Sequence, residues 1–512
     1  MAEDTAEKTD KTEKKPETLI PLDTEKPPVV TEHRLGDLEY TATTGMLPIK
    51  NSLGETEAGM FFVAYTKKGV EPGSRPLMFS FNGGPGSSSV WLHLGAVGPK
   101  RVKMTEIGEL PPPPYQLEDN ELTWLHDVDL VFIDPVGTGY SRPAKPELGE
   151  KFWGLKGDIE SVGEFIRLYL TRYQRWASPL YLVGESYGTT RAAGLAGHLF
   201  EHGIAFNGIV LVSSILTFQT ADFTPGNDLP FVLFLPTYAA TAHYHGMAGK
   251  RRELRGFLRE VELFAEGEYA TALQKGDALS AAARKRIIAK LSTYTGLSPT
   301  YLDHADLRIN IHHFCKELLR AKKRTVGRLD SRITGLDKLA IGDTTEHDPS
   351  MTAIRPPYTA MLNDYVRRTL GYENDSPYYI LGGEKKLWES WNWGSAREGH
   401  PDTSEALRKA MAKNPYMRVF VASGYYDLAT PYFATYYTLD HMGLTKEQRR
   451  QFVTEEYAAG HMMYIHEGML AKLHRDVQRF LAGRGDFLPH KLGLKRGMPG
   501  LLGGRARIAA II

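Results

Sequence analysis

The chain of 512 residues holds a single cysteine, Cys315. One thiol excludes any intramolecular disulfide, so the fold is held without covalent staples, which suits a reducing compartment without requiring one. No apolar run approaches the ~18 residues that a membrane-crossing helix needs, so no transmembrane helix is expected. Charge of one sign is also lacking: 62 Lys and Arg face 61 Asp and Glu, for a net charge of +1. That balance gives no global electrostatic support to a nucleic-acid or acidic-membrane partner. Internal repeats are absent from the sequence, and its first 28 residues have neither the basic n-region nor the apolar h-region of a signal peptide. As written, the sequence carries no export signal, which together with the lone cysteine points to the cytoplasm.

What is present is ordinary globular material, 42% hydrophobic and 24% charged. That suffices for a large core and excludes a wholly disordered or fibrous chain. At ~150 residues per domain the length suits about three domains, or fewer with one enlarged. Residues 1–28 carry eight acidic and five basic side chains and almost nothing apolar. Such a segment cannot bury enough surface to offset its ordering entropy, so a disordered polar tail is expected, with the folded part starting after residue 35.

From there, short apolar runs closed by turn residues read as strands: 59–69, 76–84, 128–139, 178–188, 206–214, 417–427 and 451–457. Amphipathic helical stretches at 158–176 and 189–203 lie between some of them. Strands buried on both faces and alternating with helices predict an α/β fold with a mostly parallel sheet flanked by helices. The alternation breaks after residue 217 and resumes near 417, with helical strings such as RRELRGFLREVELF in between. The expected organisation is an α/β core in two parts, 36–217 and 401–485, interrupted by a largely helical cap at 218–400. A Gly-rich, basic tail at 486–512 has no functional reading.

Gly184-Glu185-Ser186-Tyr187-Gly188 matches G-x-S-x-G. The string is weak by itself, and its plain alternative is an ordinary strand–loop–helix junction. Here it follows an apolar run and precedes a helix start rich in small residues. A nucleophile elbow needs that arrangement, because a sharp strand-to-helix turn tolerates no bulk where strand and helix approach. A serine hydroxyl needs a base, and the base needs a group to orient it. Asp427 follows the run 417–424 and His461 follows the run 451–457, each at the end of a strand, in the chain order Ser, Asp, His of α/β hydrolases. Oxyanion donors are expected from the Tyr187 N–H and from the Gly-rich loop Asn82-Gly83-Gly84-Pro85-Gly86, with Gly84 the donor. The plain alternative for that loop is a tight turn.

Together these motifs resemble the serine carboxypeptidases, peptidase family S10 of the α/β hydrolases, as a disulfide-free, bacterial-like variant. The resemblance rests on FNGGPGSSS (81–89), VFIDPVGTGYS (131–141), GESYG (184–188), ASGYYDLATP (422–431) and AAGHMMY (458–464), which stand in the family's order. It implies Ser186, Asp427 and His461 as triad, Gly84 and Tyr187 as oxyanion hole, and a cap shaping the substrate pocket. It further implies that Asn82 and Glu185 hold the substrate's C-terminal carboxylate, Glu185 as a neutral acid, so that activity is expected to be best at acid pH. It also suggests secretion or a periplasmic site, against the cytoplasmic reading above. Four positions depart from the family pattern: Ser80 stands for a Trp, Ala96 for an acidic residue, Ser87 for a half-cystine and Tyr425 for an acidic residue. The first two weaken the carboxylate clamp.

Other signals are weaker. His312, His313 and Cys315 have no second cluster to close a metal site and read as a helical cap segment. The basic strings at 284–286 and 320–324 read as solvated helix faces. Trp388, Trp391 and Trp393, with Tyr378 and Tyr379, read as core, with a pocket wall as the alternative. The expectation is a serine carboxypeptidase acting on peptide or protein C-termini through an acyl-enzyme on Ser186. It needs no cofactor or metal and no nucleic-acid or membrane partner, and its oligomeric state is not readable. The alternatives are an esterase or acyltransferase using the same triad, and a non-catalytic binding protein.

Overall fold

The computed structural model describes residues 22–383, 387–394 and 399–483. Its centre is one sheet built from β1 Val29–Leu35, β2 Leu38–Lys50, β3 Thr56–Lys67, β4 Leu77–Phe81, β5 Asp129–Ile133, β6 Leu180–Ser186, β7 Gly208–Ser214, β8 Arg418–Gly424 and β9 Phe452–Tyr457. The spatial order is β1-β2-β3-β5-β4-β6-β7-β8-β9, with the short strand Arg142–Pro143 paired to β3. Strands β5, β4, β6, β7, β8 and β9 run parallel to one another. Strands β1, β2, β3 and β5 form an antiparallel flank. The chain is thus an α/β protein with a mostly parallel sheet, and every apolar run singled out in the sequence is a strand of it.

The main helices are α1 Leu155–Arg172, α2 Tyr187–Glu201, α3 Leu229–Tyr244, α4 Leu254–Phe264, α5 Ala281–Thr295, α6 Pro349–Asp364, α7 Ser404–Lys413 and α8 Glu467–Leu481. Side chains alternate across the sheet, as the two-residue period of a strand requires. Phe62 and Ala64 of β3 join one core with Phe165 and Ile166 of α1, Ala192 and Leu195 of α2 and Leu407 of α7. Phe61, Val63 and Tyr65 join the other, with Leu473 and Val477 of α8. All seven residues of β7 are buried, which explains its continuous apolar run.

Two boundaries differ from the sequence expectation. Order begins before residue 35: β1 pairs with β2 from Val29↔Thr44 to Leu35↔Leu38. Its exposed and half-buried positions alternate through Glu32, His33 and Arg34, so an edge strand with one covered face looks polar in sequence. Residues 1–21 of the expected tail, and all of 486–512, lie outside the described residues. In the stretch 218–400, helices α3, α4 and α5 surround a separate core that includes Phe234, Tyr238, Phe257 and Phe314, closed by Leu428 and Tyr432 from beyond β8. Helix α6 instead places Ile354, Tyr358 and Leu362 in the core of the sheet, so the last part of that stretch packs as body rather than cap.

Candidate active site

Ser186 closes β6 with φ 60° and ψ −130°, and α2 starts at the next residue. A non-glycine residue with such a backbone is held there by its surroundings. A Cβ on Gly184 would overlap the Gly188 carbonyl, and one on Gly188 would lie 2.9 Å from Phe81 O. The two glycines therefore let strand and helix meet at the serine. Thr189 Oγ1 donates to Ser186 O at 2.7 Å and locks the turn from the helix side.

β8 and β9 are parallel neighbours in register to Gly424↔Tyr457, so the loops after them emerge side by side. They carry Asp427 and His461, whose Oδ2 and Nδ1 are 2.8 Å apart. The Asp427 carboxylate is fully buried and heavily hydrogen-bonded. Its Oδ1 accepts from the Ala429 and Thr430 N–H groups at 2.8 and 3.0 Å, and its Oδ2 from Thr430 Oγ1 at 2.7 Å. Burial pulls the His461 imidazole down, but the charge and hydrogen bond of Asp427 outweigh it, and Glu185 adds to them; the net shift is upward. A segment at 328–332 braces both loops: Leu428 N donates to Arg328 O at 3.0 Å, His461 N to Leu329 O at 2.6 Å and Gly460 N to Asp330 Oδ2 at 3.1 Å.

The Asn82–Gly86 loop packs directly on the nucleophile turn. A Cβ on Gly83 would overlap the Tyr187 nitrogen, and Gly84 has φ +104°, a backbone that favours glycine. Among the described residues neither the Gly84 nor the Tyr187 N–H donates to a backbone carbonyl, which leaves both able to serve a substrate oxygen. Arg191 fixes the loop from below. Its guanidinium is buried, pairs with Asp158 at 2.8 Å and donates to Asn82 O at 2.7 Å.

Asn82, Gly84, Glu185, Ser186 and His461 line one cavity of about 620 Å³. Asp427 lies behind His461, and the Tyr187 ring is buried against Trp391, 5.3 Å between centroids. Glu185 is 3% exposed. Burial pushes its carboxyl up to about 7, against the opposing charge of His461 and the hydrogen bonds from Tyr464 and Asn82. Tyr464 Oη donates to Glu185 Oε2 at 2.6 Å, and Asn82 Oδ1 accepts from Leu92 N at 3.0 Å. Ser80 and Ala96 are both buried, and Ser80 Oγ is without a partner among the described residues. The rest of the wall is largely apolar and includes Trp91, Met351, Ile354 and Met462.

Three further side chains at the site were not singled out from the sequence. Thr430 and Tyr464 lie inside ASGYYDLATP and AAGHMMY, and Arg191 follows GESYG closely, but nothing in a string shows which hydroxyl or guanidinium turns toward the site. Trp388, read as core, is 41% exposed and lines the cavity, whereas Trp391 is buried as expected.

The chain's likeness to known proteins follows the same residues. The serine carboxypeptidase family model matches residues 36–220, a segment that holds Asn82, Gly84, Glu185, Ser186 and Tyr187 and ends before Asp427 and His461. Serine carboxypeptidase-like 8 of Arabidopsis thaliana is 32% identical over 157 residues, 30% of this chain and 33% of that protein. Serine carboxypeptidase-like 9 of the same plant is 25% identical over 229 residues, 44% of this chain and 48% of that protein. The chain thus spans between a third and a half of the length of these curated relatives. A thermostable carboxyl esterase from Bacillus coagulans aligns over 86% of this chain and 98% of its own at 13% identity, with a TM-score of 0.37. The fold assignment rests on the strand order itself.

Proposed function

We propose, from the match of residues 36–220 to the serine carboxypeptidase family model, that the chain is a serine-type carboxypeptidase that removes C-terminal residues from peptides. Ser186 Oγ attacks the last peptide carbonyl while His461 Nε2 takes its proton. Asp427 holds the imidazole tautomer through Nδ1 and stabilises the imidazolium. The Gly84 and Tyr187 N–H groups receive the oxyanion of the tetrahedral intermediate. His461 then protonates the departing amine, the C–N bond breaks, and an acyl-enzyme remains on Ser186. Water, deprotonated by the same imidazole, cleaves the ester and regenerates the hydroxyl.

The observation that carries the choice of peptide C-termini is Glu185. It lines the cavity beside the nucleophile with its carboxyl pushed up to about 7. A neutral acid can donate a hydrogen bond to a substrate carboxylate, whereas an ionised one repels it. Asn82, in contact with the same group, supplies an amide donor. The acid optimum expected from sequence moves toward neutrality on this reading. His461 must be uncharged to act as base, and its shift is upward from 6.5. The test is a product ladder: an unblocked peptide should lose residues one at a time from its C-terminus, and a phosphonofluoridate should label Ser186 and stop the loss.

Ser80 and Ala96 favour a second reading, an esterase or acyltransferase on the same triad, since neither side chain lines the cavity where a tryptophan or protonated acid would donate to a carboxylate. Labelling of Ser186 with ester turnover but no ladder would select it.

A further inference from the structure

The cavity has a second polar feature that the proposed mechanism leaves unused. Arg328 and His312, both from the stretch between β7 and β8, line it together with Ser186 and His461. Arg328 is fixed by its backbone alone. Its N–H goes to Asp348 Oδ1 at 3.2 Å, its carbonyl accepts from Leu428 N at 3.0 Å, and the next carbonyl accepts from His461 N at 2.6 Å. The residue is thereby clamped between the loops of Asp427 and His461. Among the described residues its half-buried guanidinium has no hydrogen bond and no carboxylate within 4.0 Å.

An unpaired guanidinium in a largely apolar wall has lost part of its hydration without a counter-charge. The neighbouring acid does not supply one, because burial keeps Glu185 protonated up to about pH 7. The charge is felt locally: after burial, Arg328 is the leading cause that holds His312 below its usual value, and it also opposes the upward shift of His461. In a cavity whose bond-breaking groups are already accounted for, a fork-shaped cation on an anchored backbone is suited to bidentate pairing with a planar anion.

We propose that Arg328 is a specificity-determining residue of this cavity, pairing with a carboxylate that the substrate carries near the scissile bond. The inference deepens the carboxypeptidase reading and rests on it only for where the reacting bond lies. Two sources share this chemistry, the terminal carboxylate and an acidic side chain next to the scissile bond. Arg328 lines the cavity with donors, whereas Ser80 and Ala96 do not reach it.

The test compares wild type, Arg328→Ala and Arg328→Lys on three pairs that differ in one negative charge. The first is an N-blocked dipeptide acid against its amide, and the second is Glu against Gln beside the scissile bond. The third is mono-4-nitrophenyl succinate against 4-nitrophenyl butyrate. Because the anchoring bonds are made by the backbone, Arg328→Ala is expected to melt with the wild type. The alanine variant should lower the charged-to-neutral ratio of kcat/KM about 10- to 100-fold for at least one pair, mainly through KM, and lysine should restore part of it. The pair that responds identifies the carboxylate. Ratios unchanged within about threefold in all three pairs would overturn the proposal. If the peptides are not cut at all, the carboxypeptidase reading fails while the ester pair still decides the role of Arg328. If the alanine variant melts early, the lysine variant decides: a ratio kept only with a cation at 328 supports the pairing, and a ratio indifferent to it does not.

Discussion

Glu185 and Tyr464, 279 residues apart in the chain, are joined by a 2.6 Å hydrogen bond on the buried floor of the cavity. The phenol donates, so the bond favours the ionised carboxyl and works against the burial that raises it. Tyr464→Phe should therefore move the Glu185 ionisation upward, by roughly one unit for a buried hydrogen bond of ordinary strength. The readout is the alkaline limb of kcat/KM for a peptide acid. A limb that stays in place or moves down would contradict the assignment.

Glu185→Gln keeps a donor and removes the titration. Wild-type cleavage of a peptide acid is expected to fall above pH 7, where Glu185 ionises, while the variant should hold its rate into the alkaline range. The acid limb, set by His461, should persist in both. Stability carries the same signature. A carboxyl whose folded value is raised from 4.5 to about 7 contributes stability that is complete below about pH 4.5 and is lost as pH rises through 7. The shift corresponds to roughly 3 kcal/mol. Urea unfolding at pH 5 and pH 8 should show that loss in the wild type and a smaller one in the glutamine variant.

Gly83→Ala places a methyl group against the Tyr187 nitrogen. The loop must move off the nucleophile turn, and misplacing one oxyanion donor costs about 10²- to 10³-fold in kcat. Ester turnover with KM nearly unchanged is the expected pattern. A fully active alanine variant would show that the loop does not serve the oxyanion.

Arg191→Ala leaves Asp158 buried without its partner and frees the Asn82 carbonyl. Breaking a buried pair on one side costs about 3–5 kcal/mol, measurable by denaturant unfolding. A loss below 1 kcal/mol would mean that water replaces the guanidinium.

The legible part of this protein is the part where one-dimensional pattern and three-dimensional role coincide. Strands β3 to β8 are covered on both faces or nearly so, and their continuous apolar runs announce them. Strand β1 carries Glu32, His33 and Arg34, and β2 contains Gly45 and Pro48, residues that read as tail and turn until the pairing between the two strands is seen. Ser186 stood out because its turn needs Gly184 and Gly188, and Asp427 and His461 because each follows an apolar run. Thr430 and Tyr464 lay within the strings already quoted, but their roles depend on distances that no spacing encodes. Arg328 was overshadowed by the basic string at 320–324. What distinguishes it is that its guanidinium has no partner among the described residues, a property of the fold alone.

The most direct test of the carboxypeptidase account is cleavage near pH 7 of an N-blocked dipeptide with a free C-terminus, measured beside its C-terminal amide and with Ser186→Ala as the blank. The account expects the acid to be cut in clear preference to the amide, and the alanine variant to lose about 10⁴-fold or more of that rate. Equal cleavage of acid and amide would contradict the carboxylate recognition assigned to Glu185 and Asn82, and full activity in Ser186→Ala would contradict the site itself.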